Sequence, residues 1–284
     1  MKVHQHVVQN GLKPIPGIKN IIAIASGKGG VGKSTTAVNL ALSIAAEGAR
    51  VGILDADIYG PSQPLFLGIN TTEKPAVRED KRLEPVLKYG LQSMSIGYLV
   101  DIDAPMVWRG PMVSKALQQL LFETAWNALD YLIIDLPPGT GDIQLTLAQK
   151  IPVSGVVIVT TPQDVALLDA KKALSMFKKL DIAVLGIVEN MSTHICTQCG
   201  HQDAIFGSGG GAKMSAQFEV PVLGQLPLDA RIQEQTDLGK PSVVSEPSGQ
   251  IAQLYRELAR RVMTQLSLRA RDYSIAVSTV MTEL

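Results

Sequence analysis

The residues best suited to chemistry lie in one glycine-rich stretch near the amino terminus. Residues 27–34 read Gly-Lys-Gly-Gly-Val-Gly-Lys-Ser and fit the spacing G-x-x-x-x-G-K-[ST]. In such a stretch backbone amides point at phosphate oxygens, the lysine bridges the β- and γ-phosphates, and the hydroxyl binds Mg²⁺. The sequence therefore predicts a loop that binds MgATP through Gly27, Lys28, Gly29, Gly30, Val31, Gly32, Lys33, Ser34 and Thr35.

Three carboxylates are candidates to complete a phosphoryl-transfer site. Asp55 and Asp57 follow an apolar run at 51–54, and Asp135 follows a second run at 131–134. Ligands of open α/β sheets bind beyond the carboxyl ends of such strands. One of the first two acids is expected to orient the attacking water and the other to support Mg²⁺, and the spacing excludes neither assignment. Asp135 is expected to hold a water of the ion, although any single strand-terminal Asp can equally be a cap or turn residue.

A stiff turn follows the last of these acids. Residues 137–141 read Pro-Pro-Gly-Thr-Gly. Beside a γ-phosphate, such a turn is suited to moving between two states when that phosphate leaves. We therefore expect a phosphate-sensing switch at this position.

The two cysteines of the chain, Cys196 and Cys199, are separated by two residues. A disulfide framework would use more cysteines, more widely spread, so this pair indicates metal or redox chemistry. A closed zinc site and a cubane iron–sulfur cluster each need four ligands, which two copies of the chain would supply across a twofold axis. A zinc site completed within one chain by His194 or His201, a redox pair and an inert pair remain alternatives.

The elements that must position these residues alternate in type along the chain. Short, fully apolar runs, typical of buried strands, occur at 21–25, 51–54, 131–134, 156–159, 183–188 and 222–226. Helical periodicity is found between them at 34–46, 113–129 and 165–180, and after them at 249–266. Strands that are apolar throughout need helices on both faces of their sheet. The sequence thus predicts an α/β fold with a doubly wound, mostly parallel sheet flanked by helices.

A length of 284 residues fits one large domain. We expect this domain at 20–268, between an amino-terminal lead at 1–19 and a carboxy-terminal tail at 269–284. The segment 69–88 is rich in charge and proline and is expected to be a surface excursion. His6, in the lead, is expected to be exposed.

The charge balance indicates neither a nucleic-acid nor a membrane partner. Lys plus Arg and Asp plus Glu each number 26, so no net field attracts a polyanion. The first 19 residues contain no apolar core of a signal peptide, and no stretch reaches the roughly 18 uninterrupted apolar residues of a membrane span. The composition predicts a cytoplasmic protein.

The glycine-rich stretch carries a second lysine, Lys28, that the general spacing does not require. In this respect it resembles the deviant Walker A loop of the ATPases that include septum-placement proteins and the nitrogenase iron protein. The resemblance implies a homodimer in which Lys28 reaches the partner's phosphates, where a cation stabilises the charge of the transferring phosphoryl group. It also assigns the attacking water to Asp57.

Further motifs occur along most of the chain: Asp-Ala-Asp-Ile-Tyr-Gly-Pro-Ser at 55–62, Val-Trp-Arg-Gly-Pro-Met at 107–112, Asp-Leu-Pro-Pro-Gly-Thr-Gly-Asp-Ile-Gln-Leu-Thr at 135–146, Val-Glu-Asn-Met-Ser at 188–192 before the cysteine pair, and Phe-Gly-Ser-Gly-Gly-Gly at 206–211. Over about residues 17–266 the chain resembles the Mrp/ApbC group of ATP-dependent iron–sulfur cluster carriers. The resemblance implies that Cys196 and Cys199 of two protomers hold a bridging [4Fe-4S] cluster for delivery to apoproteins. It also implies that Asn190, which could otherwise be a turn residue, hydrogen-bonds adenine beside the segment 225–229.

Two other functions use the same phosphate loop. A zinc-stabilised nucleotide switch would bind partners without carrying a cluster, and a membrane-cycling positioning ATPase would use a basic amphipathic helix at its carboxyl end. Residues 252–266 have the pattern of a core-facing helix instead. We therefore favour an ATPase that carries a cluster, and we expect slow hydrolysis until a partner completes the site.

Overall fold

The computed structural model describes residues 2–70, 74–99, 110–196 and 198–272. The motif residues 107–109 and the tail residues 273–284 lie outside these ranges. Within them the strands are β1 Ile18–Ala25, β2 Val51–Asp55, β3 Val86–Lys88, β4 Leu91–Ser95, β5 Leu129–Asp135, β6 Gly155–Thr160, β7 Val184–Glu189, β8 His194–Ile195, β9 Gln202–Asp203 and β10 Val222–Gln225. The helices are α1 Lys33–Ala46, α2 Gln63–Phe66, α3 Gly110–Phe122, α4 Asp142–Lys150, α5 Asp164–Lys179, α6 Gly210–Phe218, α7 Ala230–Asp237, α8 Ser242–Ser245 and α9 Gln250–Ser267.

Eight of the strands form one sheet in the order β10-β7-β6-β1-β5-β2-β4-β3. Neighbouring strands are parallel except at the edge, where β3 pairs antiparallel with β4. β8 and β9 form a separate antiparallel pair. The loop after β1 and the acids that end β2 and β5 emerge at the same edge of the sheet, where ligands of such folds bind. The predicted doubly wound, mostly parallel sheet is confirmed.

Helices cover both faces of this sheet, which explains why its strands are apolar without alternation. In β1, Ile21 and Ala23 belong to a hydrophobic cluster that includes residues of α3, α4 and α5. Ile22 and Ile24 belong to a second cluster, with residues of α1 and α9. Successive side chains of a strand point to opposite faces, so each face needs its own apolar set. The two buried clusters hold the strand ends in fixed register.

The last helix packs on the core, as its sequence pattern predicts. Its buried residues are Ile251, Ala252, Tyr255, Leu258, Ala259, Val262 and Leu266. They join the second cluster together with residues of α1. Among the described residues, no helix has both the length and the apolar character needed to cross a membrane.

The helix predicted at 113–129 is shorter than expected. α3 ends at Phe122, and residues 123–128 turn before β5 begins. Trp126 is buried, and its indole Nε1 donates to Leu121 O at 2.9 Å, so it packs against the helix end without extending the helix. The apolar spacing across this turn imitates a helical period, but tertiary packing of a loop and a strand produces it.

The apolar runs in the sequence did not predict β4, because two serines and a glutamine separate its apolar residues. Both serines are buried and hydrogen-bonded. Ser93 Oγ lies 2.7 Å from Tyr98 Oη, and Ser95 Oγ donates to Asp55 Oδ2 at 3.2 Å. Buried hydroxyls with partners are compatible with a central position in a sheet.

His6 is buried, which contradicts the predicted exposure. Its backbone N and ring Nδ1 lie 3.1 and 3.0 Å from Asn20 Oδ1. His6 also forms an isolated bridge with Arg271, and Val7 N donates to Ala270 O at 3.1 Å. The lead therefore packs against β1 and against the residues that follow α9.

Candidate functional site

The loop between β1 and α1 carries the glycine-rich stretch, and close approach of neighbouring groups shapes it. A Cβ on Gly27 would lie 2.1 Å from the backbone carbon of Asp169 in α5. A Cβ on Gly32, whose φ is +78°, would lie 2.1 Å from Asn190 Nδ2, which donates to Val31 O at 2.9 Å. Gly27 is required because no side chain fits against the backbone of α5, and Gly32 is required because its positive φ would strain any other residue.

Lys33 is the first residue of α1, and its side chain is buried. Its Nζ lies 2.5 Å from Asp135 Oδ1 and 3.1 Å from Ser34 Oγ. Asp135 ends β5 and is completely buried. The lysine and hydroxyl of the loop and the acid of the second apolar run, predicted separately from the sequence, thus lie in one cluster.

Asp55 lies beside Asp135 because β2 and β5 are paired in register at these residues. Its Oδ1 accepts from the backbone N of Asp57 at 3.1 Å. Its Oδ2 accepts from the backbone N of Gln63 at 3.0 Å and from Ser95 Oγ at 3.2 Å. Burial, and then the negative charge of Asp135, raise the pKa of Asp55 to about 7. Protein donors therefore engage both oxygens of Asp55.

Asp57, two residues further on, is half-buried. Burial raises the pKa of its carboxyl group, and the ammonium of Lys33 opposes that shift. Its position differs from that of Asp55, which is completely enclosed. Of the two acids, Asp57 is the one that reaches solvent.

Gln63 belongs to the same cluster, and the motif search did not identify it. It begins α2 and is completely buried. Its Nε2 donates to Asp135 Oδ2 at 2.9 Å and to Ser34 O at 3.1 Å. Together with its backbone bond to Asp55, these contacts join both strand-end acids to the start of α1. Its sequence signal is weak, since only its place in the loop after Asp55 suggests a role.

Two buried oxygens beside this cluster, Gln63 Oε1 and Ser62 Oγ, have no hydrogen-bond partner in the described part of the chain. Buried polar atoms are normally satisfied by protein or by water. Mg²⁺ usually keeps several of its waters, and these are strong donors. The residues therefore fit a hydrated Mg²⁺ ion, with Ser34 as a direct ligand and the surrounding oxygens as acceptors for its waters.

The turn at 137–141 is tied to the phosphate loop. Gly139, with φ +100°, donates its backbone N–H to Ser26 O at 3.0 Å. Ser26 Oγ in turn donates to Lys28 O at 2.9 Å. Two hydrogen bonds through Ser26 therefore connect Lys28 of the phosphate loop to Gly139 of the turn.

A cavity of about 610 Å³ opens beside the loop. Gly30, Gly32 and Thr35 of the loop and its helix line it, together with Asn190, which directly follows β7. The segment expected to border adenine contributes Pro227, Leu228 and Asp229. The structure thus brings Asn190 and most of that segment to the phosphate loop.

The cysteines lie on the β8–β9 hairpin, where both are free. Cys196 N donates to His201 O, and Gly200 N donates to Cys196 O, both at 2.9 Å, so the turn is closed by backbone bonds. The backbone amides of Cys199 and Gln198 lower the pKa of the Cys196 thiol. The described residues contain no group of three or more His, Cys, Asp or Glu side chains arranged to hold a metal ion.

A central parallel strand, a glycine-rich loop and a helix that begins at Lys33, with an acid at the end of the neighbouring strand, define a P-loop nucleoside triphosphatase. A sequence model described as NUBPL iron-transfer P-loop NTPase matches residues 17–263. The chain belongs to this family. The resemblance to the Mrp/ApbC group seen in the sequence is thereby confirmed.

Similar full-length proteins carry related names. An iron–sulfur cluster carrier protein of Pseudomonas fragi is 59% identical over 254 residues, which are 89% of this chain and 88% of that protein. The carrier of Escherichia coli K12 is 59% identical over 252 residues, covering 89% of this chain and 68% of its own length. The mouse iron–sulfur cluster transfer protein NUBPL is 48% identical over 256 residues, 89% of this chain and 80% of its own.

Solved structures share the fold. A nucleotide-binding protein from Archaeoglobus fulgidus, in complex with ADP, aligns with a TM-score of 0.73 and 38% identity over 84% of this chain and 93% of its own. The cell-division ATPase MinD of Pyrococcus furiosus aligns with a TM-score of 0.65 over 86% and 98% of the two chains. At 23% identity, the second comparison supports the fold alone.

Proposed function

We propose that this chain is an ATP-hydrolysing carrier that holds a [4Fe-4S] cluster between two copies of itself and transfers it to apoproteins in the cytoplasm. The observation that carries the proposal is a pair of free thiols on a hairpin next to the cavity of the phosphate loop. Relatives named as iron–sulfur cluster carriers support the cargo. The Archaeoglobus protein in complex with ADP supports the nucleotide.

In this proposal the cavity beside the loop takes the nucleoside, and we call it the nucleotide cavity. The backbone of residues 27–32 and Thr35 holds the phosphates, and Asn190 borders the base. Lys33 would contact the β- and γ-phosphates in place of Asp135, and the Asp135 carboxylate would then be available as an acceptor for a water of Mg²⁺. Bound through Ser34, the ion would supply positive charge at the phosphate oxygens.

Asp57 orients the attacking water in this scheme, and Asp55 shapes the turn that carries it. The support is the difference between the two acids: protein donors engage both oxygens of Asp55, whereas Asp57 is half-exposed. Lys28 from the partner copy approaches the transferring phosphoryl group and stabilises its charge as the bond breaks.

The cluster is cargo held by Cys196 and Cys199 of both copies. Each chain offers two thiols, and a cubane cluster takes four. The lowered pKa of the Cys196 thiol favours the thiolate, which is the form that binds iron. A twofold axis through the cluster would complete the ligand set.

Anaerobic reconstitution with iron and sulfide tests the proposal. We expect visible charge-transfer absorption, about four irons and four sulfides per two chains, and a dimer by light scattering. Cys196→Ala and Cys199→Ala should lose the cluster and keep nucleotide binding, because neither cysteine lines the nucleotide cavity. His201→Ala, a change in the same turn that removes no sulfur, should keep both.

Three outcomes would contradict this function. A monomer that retains its full iron and sulfide would exclude the shared cluster. Zinc without visible absorption, lost on replacing His201 as well as either cysteine, would indicate a site within one chain. A full cluster in Cys196→Ala would show that the ligands are wrong.

A further inference from the structure

The cysteine hairpin forms one wall of the nucleotide cavity. Met191, His194 and Ile205, from the segment that contains the hairpin, line the cavity together with Gly30 and Thr35 of the phosphate loop and its helix. The thiols and the nucleotide site therefore share a structural element. A ligand that fills the cavity has to meet side chains of the hairpin segment.

His194 connects the hairpin segment to the segment that follows β10, and both segments line the cavity. Its ring Nδ1 lies 3.0 Å from Leu228 O, and the two residues form an isolated parallel bridge. Leu228 N also donates to Thr193 O at 3.0 Å. Because a carbonyl oxygen only accepts, Nδ1 carries a proton in this contact. The ring that makes this contact also lines the cavity.

Only a few residues separate the His194–Leu228 contact from the thiols, and backbone hydrogen bonds link these residues. His194 and Ile195 form β8, which pairs with β9. Cys196 follows directly and is bonded to His201 through the backbone. A movement of β8 against Leu228 therefore changes the position of Cys196, because the hairpin moves as a hydrogen-bonded unit.

We propose that His194 couples the two sites: the nucleoside engages its ring, and the His194–Leu228 contact then sets the position of the cysteine hairpin. The coupling rests on the nucleotide site proposed above and goes beyond it by naming the residue that transmits occupancy. Coupling between two sites is reciprocal, so cargo on the cysteines changes nucleotide affinity by the same factor. His194 is a positioning residue for the thiols, and neither phosphate chemistry nor cluster ligation requires its side chain.

The test measures thiol reactivity, which needs neither a cluster nor hydrolysis. The reduced full chain, freed of metal by a chelator, is alkylated with iodoacetamide with and without saturating MgADP, and MgADP binding is measured by calorimetry on the same samples. We expect the alkylation rate of wild type to change by about fivefold or more on binding. His194→Ala should still bind MgADP, but its alkylation rate should no longer change on binding. His194→Gln, whose amide can donate to Leu228 O but offers the nucleoside no ring, should respond more than His194→Ala and less than wild type.

His201→Ala is the matched control, because this histidine lies on the same hairpin but does not line the nucleotide cavity, and it should respond like wild type. If His194→Ala does not fold by circular dichroism, His194→Phe removes the same hydrogen bond while keeping a ring. Wild type that binds MgADP at an unchanged alkylation rate, or a folded His194→Ala or His194→Phe that still responds, would overturn the coupling. Failure of wild type to bind MgADP would instead refute the proposed function, so the two failures are distinguishable.

Discussion

The ammonium of Lys33 lies 2.5 Å from the carboxylate of Asp135, and both side chains are almost completely enclosed. A buried ion pair is stable only while both partners are present, because either charge alone is poorly solvated. In the proposed function, Lys33 would contact the phosphates, and Asp135 would accept from a water of the hydrated Mg²⁺ ion. Ligand binding thus exchanges one set of charge partners for another without leaving a buried charge unpaired.

Replacing the lysine should therefore affect stability as well as binding. We expect Lys33→Met to lower the free energy of unfolding by about 3–5 kcal/mol, because the Asp135 carboxylate is left unpaired, and to abolish nucleotide binding. Thermal unfolding and nucleotide titration measure the two effects. The double variant Lys33→Met/Asp135→Asn should regain stability but not binding. Undiminished ATP turnover in Lys33→Met would refute the assigned site.

The packing of the phosphate loop predicts a sharp difference between two of its glycines. Gly27→Ala should destabilise the protein by at least about 1–3 kcal/mol, because the new Cβ meets the backbone of Asp169 at 2.1 Å. Gly29→Ala is the control, with its nearest heavy atom 4.0 Å away, and should change stability by less than about 0.5 kcal/mol. Chemical denaturation measures both. Equal effects would show that the loop packs differently.

Gln63 is expected to support the binding of the Mg²⁺ ion that ATP turnover requires. Gln63→Leu removes two hydrogen bonds, one to the Asp135 carboxylate and one to Ser34 O. Bonds to charged groups contribute about 1.5–3 kcal/mol, so we expect the Mg²⁺ concentration for half-maximal turnover to rise about tenfold or more. Gln118→Leu is the control, because that amide donates to Ser114 O within its own helix. An unchanged Mg²⁺ requirement in Gln63→Leu would contradict the positioning role.

The raised pKa of Asp55 predicts how stability without nucleotide depends on pH. Its pKa is about 7 in the folded chain, against an ordinary value of 3.8. Between these values the folded chain holds more protons than the unfolded chain, so the free energy of unfolding falls as the pH rises from about 4 to about 7. This contribution is fully present below the unfolded value and is lost above the folded value.

Asp55→Asn should remove that dependence, since an amide does not titrate in this range. We therefore expect the stability of wild type, relative to Asp55→Asn, to decrease between pH 4 and pH 7 by an amount on the order of a few kcal/mol. Denaturant unfolding at a series of pH values measures the difference. Parallel stability curves for the two proteins would contradict a raised pKa.

Much of the fold could be predicted because it depends on short-range patterns. The apolar runs located six of the eight strands of the main sheet, and the helical periods located α1, α5 and α9. The prediction was wrong where an apolar pattern had another cause, as at Trp126, which packs on the end of α3 from a turn. β4 was missed because its buried serines are stabilised by Tyr98 and Asp55, partners that a local pattern does not reveal.

The amino-acid sequence by itself determined the phosphate loop, the acids at the strand ends and the cysteine pair, because each is a matter of residue type and spacing. Only the tertiary structure decided that Gln63 joins the two acids and that the cysteine hairpin lies against the nucleotide cavity. These contacts connect residues distant in the chain: Gln63 and Asp135 are 72 residues apart, and His194 and Leu228 are 34 apart. Such pairs meet because the parallel sheet brings the ends of its strands to one edge.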